Sequence, residues 1–335
     1  MINNKTILIT GGTGSFGTAF VKKITESYKP KKIIIFSRDE LKQSVMKKSI
    51  KDSMQKRLRF FIGDVRDKER VNVALKDVDT VIHAAALKQV DAAEYNPLEA
   101  IKTNVMGAEN IISSCLLNNV SHIVALSTDK ACSPINLYGA TKLASDKLFI
   151  SANNIKGSTN CKFAVLRYGN VMGSRGSVIP HFINLNKLNK PLTVTDTTMT
   201  RFSLTLEEGI NFAIKTLKMM TGGEMFVPKI PSYKILDLVK ALSNRKFKVI
   251  GLRPGEKTHE DLISVSDAPY TFETKNFYII RPNQLVAPWN EQKFKRHNKL
   301  KSIKYCPKKF SYSSQNNGFF LKPAEIKNLI KKNLK

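Results

Sequence analysis

The chain has 335 residues, enough for one large or two modest domains, and its 42% hydrophobic and 24% charged content excludes a disordered chain. With 55 Lys and Arg against 27 Asp and Glu it carries a formal charge of +28, which directs attention to nucleic acid, membrane surfaces or anionic small molecules as partners. Only 12 of the basic residues are Arg, and dispersed Lys makes a solvated surface more readily than a base-reading one, so nucleic acid is not the expected partner.

Met1 to Lys5 lead directly into a β-branched run at Ile7–Thr10, leaving no room for the basic and apolar regions of a signal peptide. No apolar run approaches the roughly 20 residues of a membrane span, so a soluble, cytoplasmic chain is expected. Runs at Ile7–Thr10, Lys32–Phe36, Leu58–Ile62, Thr80–Ala84, His122–Ser127 and Lys162–Arg167 predict strands. Between them, Gly17–Tyr28 and Thr103–Asn118 repeat apolar residues at helical spacing. This alternation predicts an α/β fold: a Rossmann-like, doubly wound parallel sheet over residues 1–168, with a return near 200–220.

After Tyr168 the pattern shifts to a glycine-rich segment, Gly169–Pro180, and strands are expected to become fewer, with helices at Glu207–Met220 and Ile235–Ser243. Residues 169–335 are read mainly as a smaller substrate-binding α/β domain ending in a basic tail. From Glu291 onward that tail has 13 basic residues against two acids. The four cysteines, Cys115, Cys132, Cys161 and Cys306, form no CxxC pair and have no His cluster nearby, so neither a metal site nor a disulfide framework is expected.

Directly after the first strand, Thr10–Gly17 reads TGGTGSFG. Glycines at this spacing let the backbone turn sharply and approach a pyrophosphate, while the following helix offers free N–H groups to it. Gly11, Thr13, Gly14, Ser15, Phe16 and Gly17 are therefore candidate dinucleotide contacts. At the end of the second strand stand Ser37, Arg38, Asp39 and Lys42. Ser37 and Arg38 suit a ribose 2′-phosphate, so NADP is expected over NAD, although Asp39 is close and Lys42 serves either. Asp64 and Val65 have the position to hold adenine edges, although an Asp in a turn is equally a backbone cap. Ala84, Ala85 and Ala86 would let the cofactor pass close, and Val171 completes the set.

The strand ending in Ser127 continues into Thr128-Asp129-Lys130, and eight residues past Lys130 comes Tyr138-Gly139-Ala140-Thr141-Lys142. Tyr138 and Lys142, four apart, share one helical face. A lysine ammonium near a phenol favours the phenolate, which can take a hydroxyl proton as hydride leaves the same carbon.

This combination resembles the extended short-chain dehydrogenase/reductase superfamily, whose nucleotide-sugar members use a Thr or Ser, a Tyr and a Lys, here Thr128, Tyr138 and Lys142. More narrowly the chain is similar to the inverting UDP-N-acetylglucosamine 4,6-dehydratases that open pseudaminic acid synthesis. The similarity is carried by Gly11–Gly17, Ser37–Gln43, Phe61–Asp67, His83–Lys88, Glu94–Pro97, Ser127–Lys130, Pro134–Lys142, Arg167–Ser177, Met199–Phe202, Arg253–Lys257 and Tyr312-Ser313-Ser314. It implies that Tyr138 deprotonates the sugar 4-hydroxyl, that Lys130 removes the C5 hydrogen, and that Asp129 protonates the departing C6 hydroxyl. It also implies regeneration of tightly bound NADP in each turnover and a homo-oligomer, a hexamer in the family.

Lys88, Asn170, Arg175, Arg201, Arg253 and Glu256 fall in the family's sugar-nucleotide motifs and are the expected substrate contacts. The chain departs from the family pattern at Gln89-Val90-Asp91, in place of His-Val-Pro, and at Ser203, in place of an aromatic residue, which bears on sugar fit. Two other readings stay open: a nucleotide-sugar 4-epimerase, which would not need Asp129 and Lys130, and a nucleic-acid-binding relative using the basic tail.

Overall fold

The computed structural model describes residues 1–174, 176–243 and 246–333. The six expected strands form: β1 (Thr6–Thr10), β2 (Lys32–Ser37), β3 (Leu58–Ile62), β4 (Thr80–His83), β5 (His122–Thr128) and β6 (Lys162–Tyr168). All six run parallel in the order β3-β2-β1-β4-β5-β6. Every residue of β1 is buried, as are all but the first of β2, because helices cover both faces of a parallel sheet. The strand order reverses between β1 and β4, and a crevice opens there above the carboxyl ends of the strands.

The helix after β1, Ser15–Ser27, buries Phe20, Val21 and Ile24 from one face. Against it packs Leu206–Met219, a helix started by a capping box in which the Thr205 hydroxyl accepts from Glu208 N–H while the Glu208 carboxylate accepts from Thr205 N–H. The stretch expected as one helix over 103–118 is interrupted: Lys102–Met106 is a wide, π-type turn, and a regular helix follows at Gly107–Leu117.

The expectation of fewer strands beyond residue 168 is overturned. Among the described residues ten short ones occur there: β7 (Thr193–Val194), β8 (Thr200–Phe202), β9 (Met225–Pro228), β10 (Ser232–Lys234), β11 (Lys248–Val249), β12 (Asp261–Ile263), β13 (Thr271–Glu273), β14 (Phe277–Ile280), β15 (Lys304–Tyr305) and β16 (Tyr312–Ser313). At two to four residues, they are too short for alternation to register in the sequence. Four of them extend the main sheet to ten strands, β9 pairing parallel with β6, and β14, β13 and β15 continuing antiparallel.

A second apolar core lies outside this sheet, formed by Ile179, Phe182, Val194, Leu238 and Ile326 among others. It joins the helix Val178–Lys187 to the helices Ile235–Leu242 and Pro323–Asn333. The small antiparallel pairs β8–β10 and β12–β16 join distant segments, and β12 packs against the turn Asp129–Ala131 that follows β5. No helix among the described residues is long and apolar enough to cross a membrane.

Candidate active site

A cleft of about 620 Å³ runs from the β1 turn, past the ends of β2 and β4, to the ends of β5 and β6. All the expected cofactor residues line it: Gly11, Thr13, Gly14, Ser15, Phe16, Gly17, Ser37, Arg38, Asp39, Lys42, Asp64, Val65, Ala84, Ala85, Ala86, Tyr138, Lys142 and Val171. The backbone fits a dinucleotide. Gly11 takes φ +62°, and a Cβ there would stand 3.0 Å from the Ala84 backbone, so only glycine keeps the turn this close to β4. At Gly14 the first turn of the following helix has no side-chain cap, which leaves its N–H groups available to an anion.

The Thr10 hydroxyl fastens the turn to the end of β4, accepting from Ala84 and Ala85 N–H at 3.1 Å each. With its lone pairs so used, its own proton goes to His83 Nδ1 at 2.9 Å, which leaves the ring proton on Nε2. Burial, with a contribution from Lys142, pushes His83 down to about 3, so the ring is neutral and supports the strand ends.

At the end of β2, Asp39 is engaged locally. Its carboxylate caps the helix Glu40–Ser49 through Lys42 N–H and pairs with the Lys42 ammonium, the two bonds that do most to hold it below its ordinary range. Arg38 is 64% exposed on its side chain, with one 3.4 Å contact to Asp64. Ser37 is buried, its hydroxyl accepting from Gln43. Asp64 accepts from Arg66 N–H and pairs with the Arg66 guanidinium at 2.7 Å.

The helix Leu137–Ile155 carries the second half of the site. Asn136 caps it by accepting from Gly139 N–H at 2.8 Å, and its buried stripe reads Tyr138, Lys142, Ser145, Asp146 and Phe149, at three- and four-residue spacing. The turn Asp129–Ala131 lies hard against this helix: a Cβ on Gly139 would come 2.1 Å from the Lys130 carbonyl oxygen. That approach brings Thr128, Asp129 and Lys130 to the Tyr138 phenol.

Burial pushes Tyr138 up to about 12, and the nearby Lys130 charge and a hydrogen bond with Thr128 oppose this. The cation acting most on the phenol is thus Lys130; burial lowers Lys142, which faces Asp146. The Thr128 hydroxyl has one proton to offer, to the Asp129 carboxylate at 2.9 Å or to the phenol.

The expected substrate residues divide between two places. Lys88 and Asn170 line the main cleft. Arg201, Arg253 and Glu256 line an adjoining cavity of about 500 Å³. Each volume falls within the roughly 300–1,000 Å³ usual for small-ligand sites, and the two meet at Gly176 and Ser177. Arg175 lies outside the described residues. The Arg201 guanidinium is spent largely on scaffold, donating to the carbonyls of Thr200, Lys257 and Thr258 at 2.8 to 2.9 Å. Arg253 pairs with Glu256 at 3.2 Å.

Several residues of the site were not singled out from the motifs. Glu260, 2% exposed, meets the Lys130 ammonium at 3.1 Å. It stands three residues past the Arg253–Lys257 motif and 130 from Lys130, a separation that no local pattern encodes. Asn104, within the π-type turn, bonds both backbone groups of Leu87 and the Thr141 hydroxyl, steadying the neighbours of Lys88 and Lys142. Asp146 accepts from Ser127 at 2.6 Å and Arg167 at 3.4 Å beneath the helix. His259, without an evident partner in the sequence, is held at Nδ1 by Thr200 at 2.8 Å. His181, Thr195 and Met199 line the second cavity. Among the described residues, no His, Cys, Asp or Glu cluster could hold a metal ion.

Comparison with known proteins gives a consistent result. Residues 7–282 match the family model described as polysaccharide biosynthesis protein. The chain is 52% identical, over 98% of both sequences, to a UDP-N-acetylglucosamine 4,6-dehydratase (inverting) of Campylobacter jejuni. It is 44% identical, over 84% of both, to a UDP-glucose 4-epimerase of Rickettsia canadensis. Among solved structures, Pen from Bacillus thuringiensis superposes with a TM-score of 0.87 at 36% identity, covering 99% of each chain.

Proposed function

The chain belongs to the polysaccharide biosynthesis protein family, with the fold of the extended short-chain dehydrogenases/reductases, and on that footing we propose that it dehydrates UDP-N-acetylglucosamine at C4 and C6 with inversion at C5. The observation that carries the reading is Asp129 and Lys130, an acid and an amine beside the Tyr138 phenol: Lys130 lines the cleft with Tyr138, and the buried Asp129 carboxyl meets the Lys130 ammonium at 3.1 Å. Hydroxyl oxidation alone has no use for them.

NADP held by the glycine turn and by Ser37 and Arg38 would, when bound, serve as hydride acceptor at C4 and donor at C6, so that no external reductant would be consumed. Tyr138, assisted by Thr128 and the Lys130 charge, takes the proton of the sugar 4-hydroxyl. The 4-ketone acidifies the C5 hydrogen; Lys130 removes it, and Asp129 protonates the C6 hydroxyl as it leaves. The reading of NADP over NAD is supported by an exposed Arg38 and an Asp39 already engaged by its helix cap and Lys42. The second cavity receives the uridine diphosphate, with Arg253 free on one side to meet phosphate oxygens.

We place the enzyme in the cytoplasm, at the first step of pseudaminic acid-type sugar synthesis. A homo-oligomer, a hexamer by family resemblance, is favoured by the exposed Tyr95, Leu98, Ile101 and Met106, which cluster on one run of helical turns. Incubation with UDP-N-acetylglucosamine and no added cofactor, followed by proton NMR, tests the reading. A C6 methyl doublet with L-arabino coupling at C5 is expected. Retained C6 hydroxymethyl with inverted C4 would instead make the chain a 4-epimerase, the activity named for the Rickettsia relative.

A further inference from the structure

Asp129, Lys130 and Glu260 form a buried cluster of two carboxylates around one ammonium. Lys130 Nζ donates to Asp129 Oδ1 and to Glu260 Oε1, at 3.1 Å each. The two carboxyl side chains are 1% and 3% exposed. Their second oxygens, Asp129 Oδ2 and Glu260 Oε2, are buried without a hydrogen-bond partner among the described residues. Arg201 Nε approaches Glu260 only to 4.0 Å, and its remaining donors serve backbone carbonyls and Glu256. Burial raises Glu260 above the ordinary carboxyl range, against the opposing pull of the Lys130 charge.

Glu260 is fixed from behind by the C-terminal tail. Its N–H donates to Ser314 Oγ at 2.9 Å, and its carbonyl accepts from Ser314 N–H at 2.8 Å. Ser314 Oγ is shared in turn with the Thr200 hydroxyl at 2.7 Å. The side chain is therefore aimed at Lys130 by a built support that joins β8, β12 and β16.

A lysine acts as a base only after losing a proton, and an ammonium between two carboxylates does not lose it to water. Losing it to one of those carboxylates is a different matter. Two opposite charges become two neutral groups, which is favoured once a substrate closes the cleft to solvent.

We propose that Glu260 is the proton-holding and positioning partner of Lys130, a role that rests on the dehydratase reading above. The step starts with the acid proton on Asp129, with Lys130 an ammonium and Glu260 a carboxylate. An Nζ–H bond breaks and an Oε1–H bond forms on Glu260, leaving the electron pair on the amine. That pair takes the C5 proton, while the C5–H electrons pass into the enolate of the 4-ketone. The enolate expels the C6 hydroxyl, which leaves as water with the Asp129 proton. Glu260 then holds the proton that Asp129 lacks, and transfer through the bridging ammonium restores the starting arrangement. The cluster ends with as many protons as it began with.

The test uses the intact enzyme with UDP-N-acetylglucosamine in deuterated buffer. Glu260→Gln is expected to lower kcat about 100-fold with KM held within about threefold. Deuterium entry at C5 should fall in step, while C4 oxidation in a single turnover, seen in the near-ultraviolet band of reduced nicotinamide, persists. Glu260→Asp should stand only about tenfold below the unaltered enzyme, since it keeps the acid but shortens its reach. A Gln variant within about threefold of the unaltered kcat overturns the proposal, as does one that loses C4 oxidation together with dehydration. If the Gln variant does not fold, the Asp variant decides: unchanged kcat overturns the proposal, and a loss of about tenfold at constant KM supports it. An unaltered enzyme that forms no C6 methyl product overturns the dehydratase reading itself, a result separate from any behaviour of the variants.

Discussion

At the cofactor end of the cleft, the contacts come from the carboxyl ends of neighbouring parallel strands: Gly11 to Gly17 after β1, Ser37 to Lys42 after β2, Asp64 after β3 and Ala84 to Ala86 after β4. At the sugar end, Lys130 after β5 meets Glu260, which is held by Ser314, while Arg201 on β8 bonds the carbonyls of Lys257 and Thr258. The first end is written in short motifs, each local to one strand and its turn. The second is assembled from segments 54 to 130 residues apart. A dinucleotide needs a shape that backbone can supply, whereas proton transfer needs side chains converging from several directions on one buried point.

The two ends meet at Tyr138, where the largest effect is expected. Tyr138→Phe removes the proton acceptor while leaving cofactor contacts in place, so kcat should fall about 10²–10⁴-fold with dinucleotide affinity unchanged. C4 oxidation in a single turnover should vanish too, in contrast to the Glu260 variant. A Phe enzyme that still reduces its bound cofactor would detach the phenol from the first step and make the division of the cleft less sharp.

A second way to separate the ends is by acid. His83 lies under the cofactor turn with a folded value near 3 against an ordinary 6.5, lowered chiefly by burial. The folded state therefore binds fewer protons than the unfolded one between these values. Stability from this site is complete above about pH 6.5 and is lost as pH falls toward 3, by about 1.4 kcal/mol per pH unit. Denaturant unfolding at a series of pH values should show that slope, and His83→Asn should flatten it. An unchanged slope would mean that another buried group, such as His122, pushed down to about 4 by burial, carries the acid sensitivity.

How much of this was legible beforehand follows the same division. The six parallel strands were readable because their β-branched runs are long and buried on both faces, and the glycine turn because a sharp turn before a helix demands those residues. The strands past residue 168 were not, because two to four residues present no period and their partners lie far away. Tyr138 and Lys142 were readable as a helical pair, but the charge acting most on the phenol is that of Lys130, which reaches it through the packing of a turn against Gly139. The basic tail had no visible purpose. In the fold, Tyr312 and Ser313 pair with β12 and Ser314 holds Glu260, while its described lysines other than the half-buried Lys295 are exposed.

Ser314 therefore offers a smaller, cleaner test of the sugar end. Ser314→Ala leaves the buried Glu260 N–H without its partner and takes one of the two side-chain partners of the Thr200 hydroxyl, at a cost of about 1–3 kcal/mol in unfolding free energy. If the tail aims Glu260, kcat should fall about tenfold with dinucleotide affinity unchanged. Loss of stability with full activity would reduce the tail to scaffold.

The smallest effect belongs to the cofactor end. The Arg38 side chain is mostly exposed and its guanidinium makes only a long 3.4 Å pair with Asp64 among the described residues, so Arg38→Ala should not disturb the fold. What it removes is a planar cation next to the position a 2′-phosphate would take. An exposed charge-assisted contact of this kind contributes about 1.4 kcal/mol, so the preference for NADP over NAD should drop about tenfold in titrations of cofactor-stripped protein. At saturating NADP the variant should dehydrate at the unaltered rate, because nothing at the sugar end depends on Arg38. A tenfold change confined to binding would show that the strand-end motifs govern which dinucleotide is held and leave the proton chemistry to the distant assembly around Lys130.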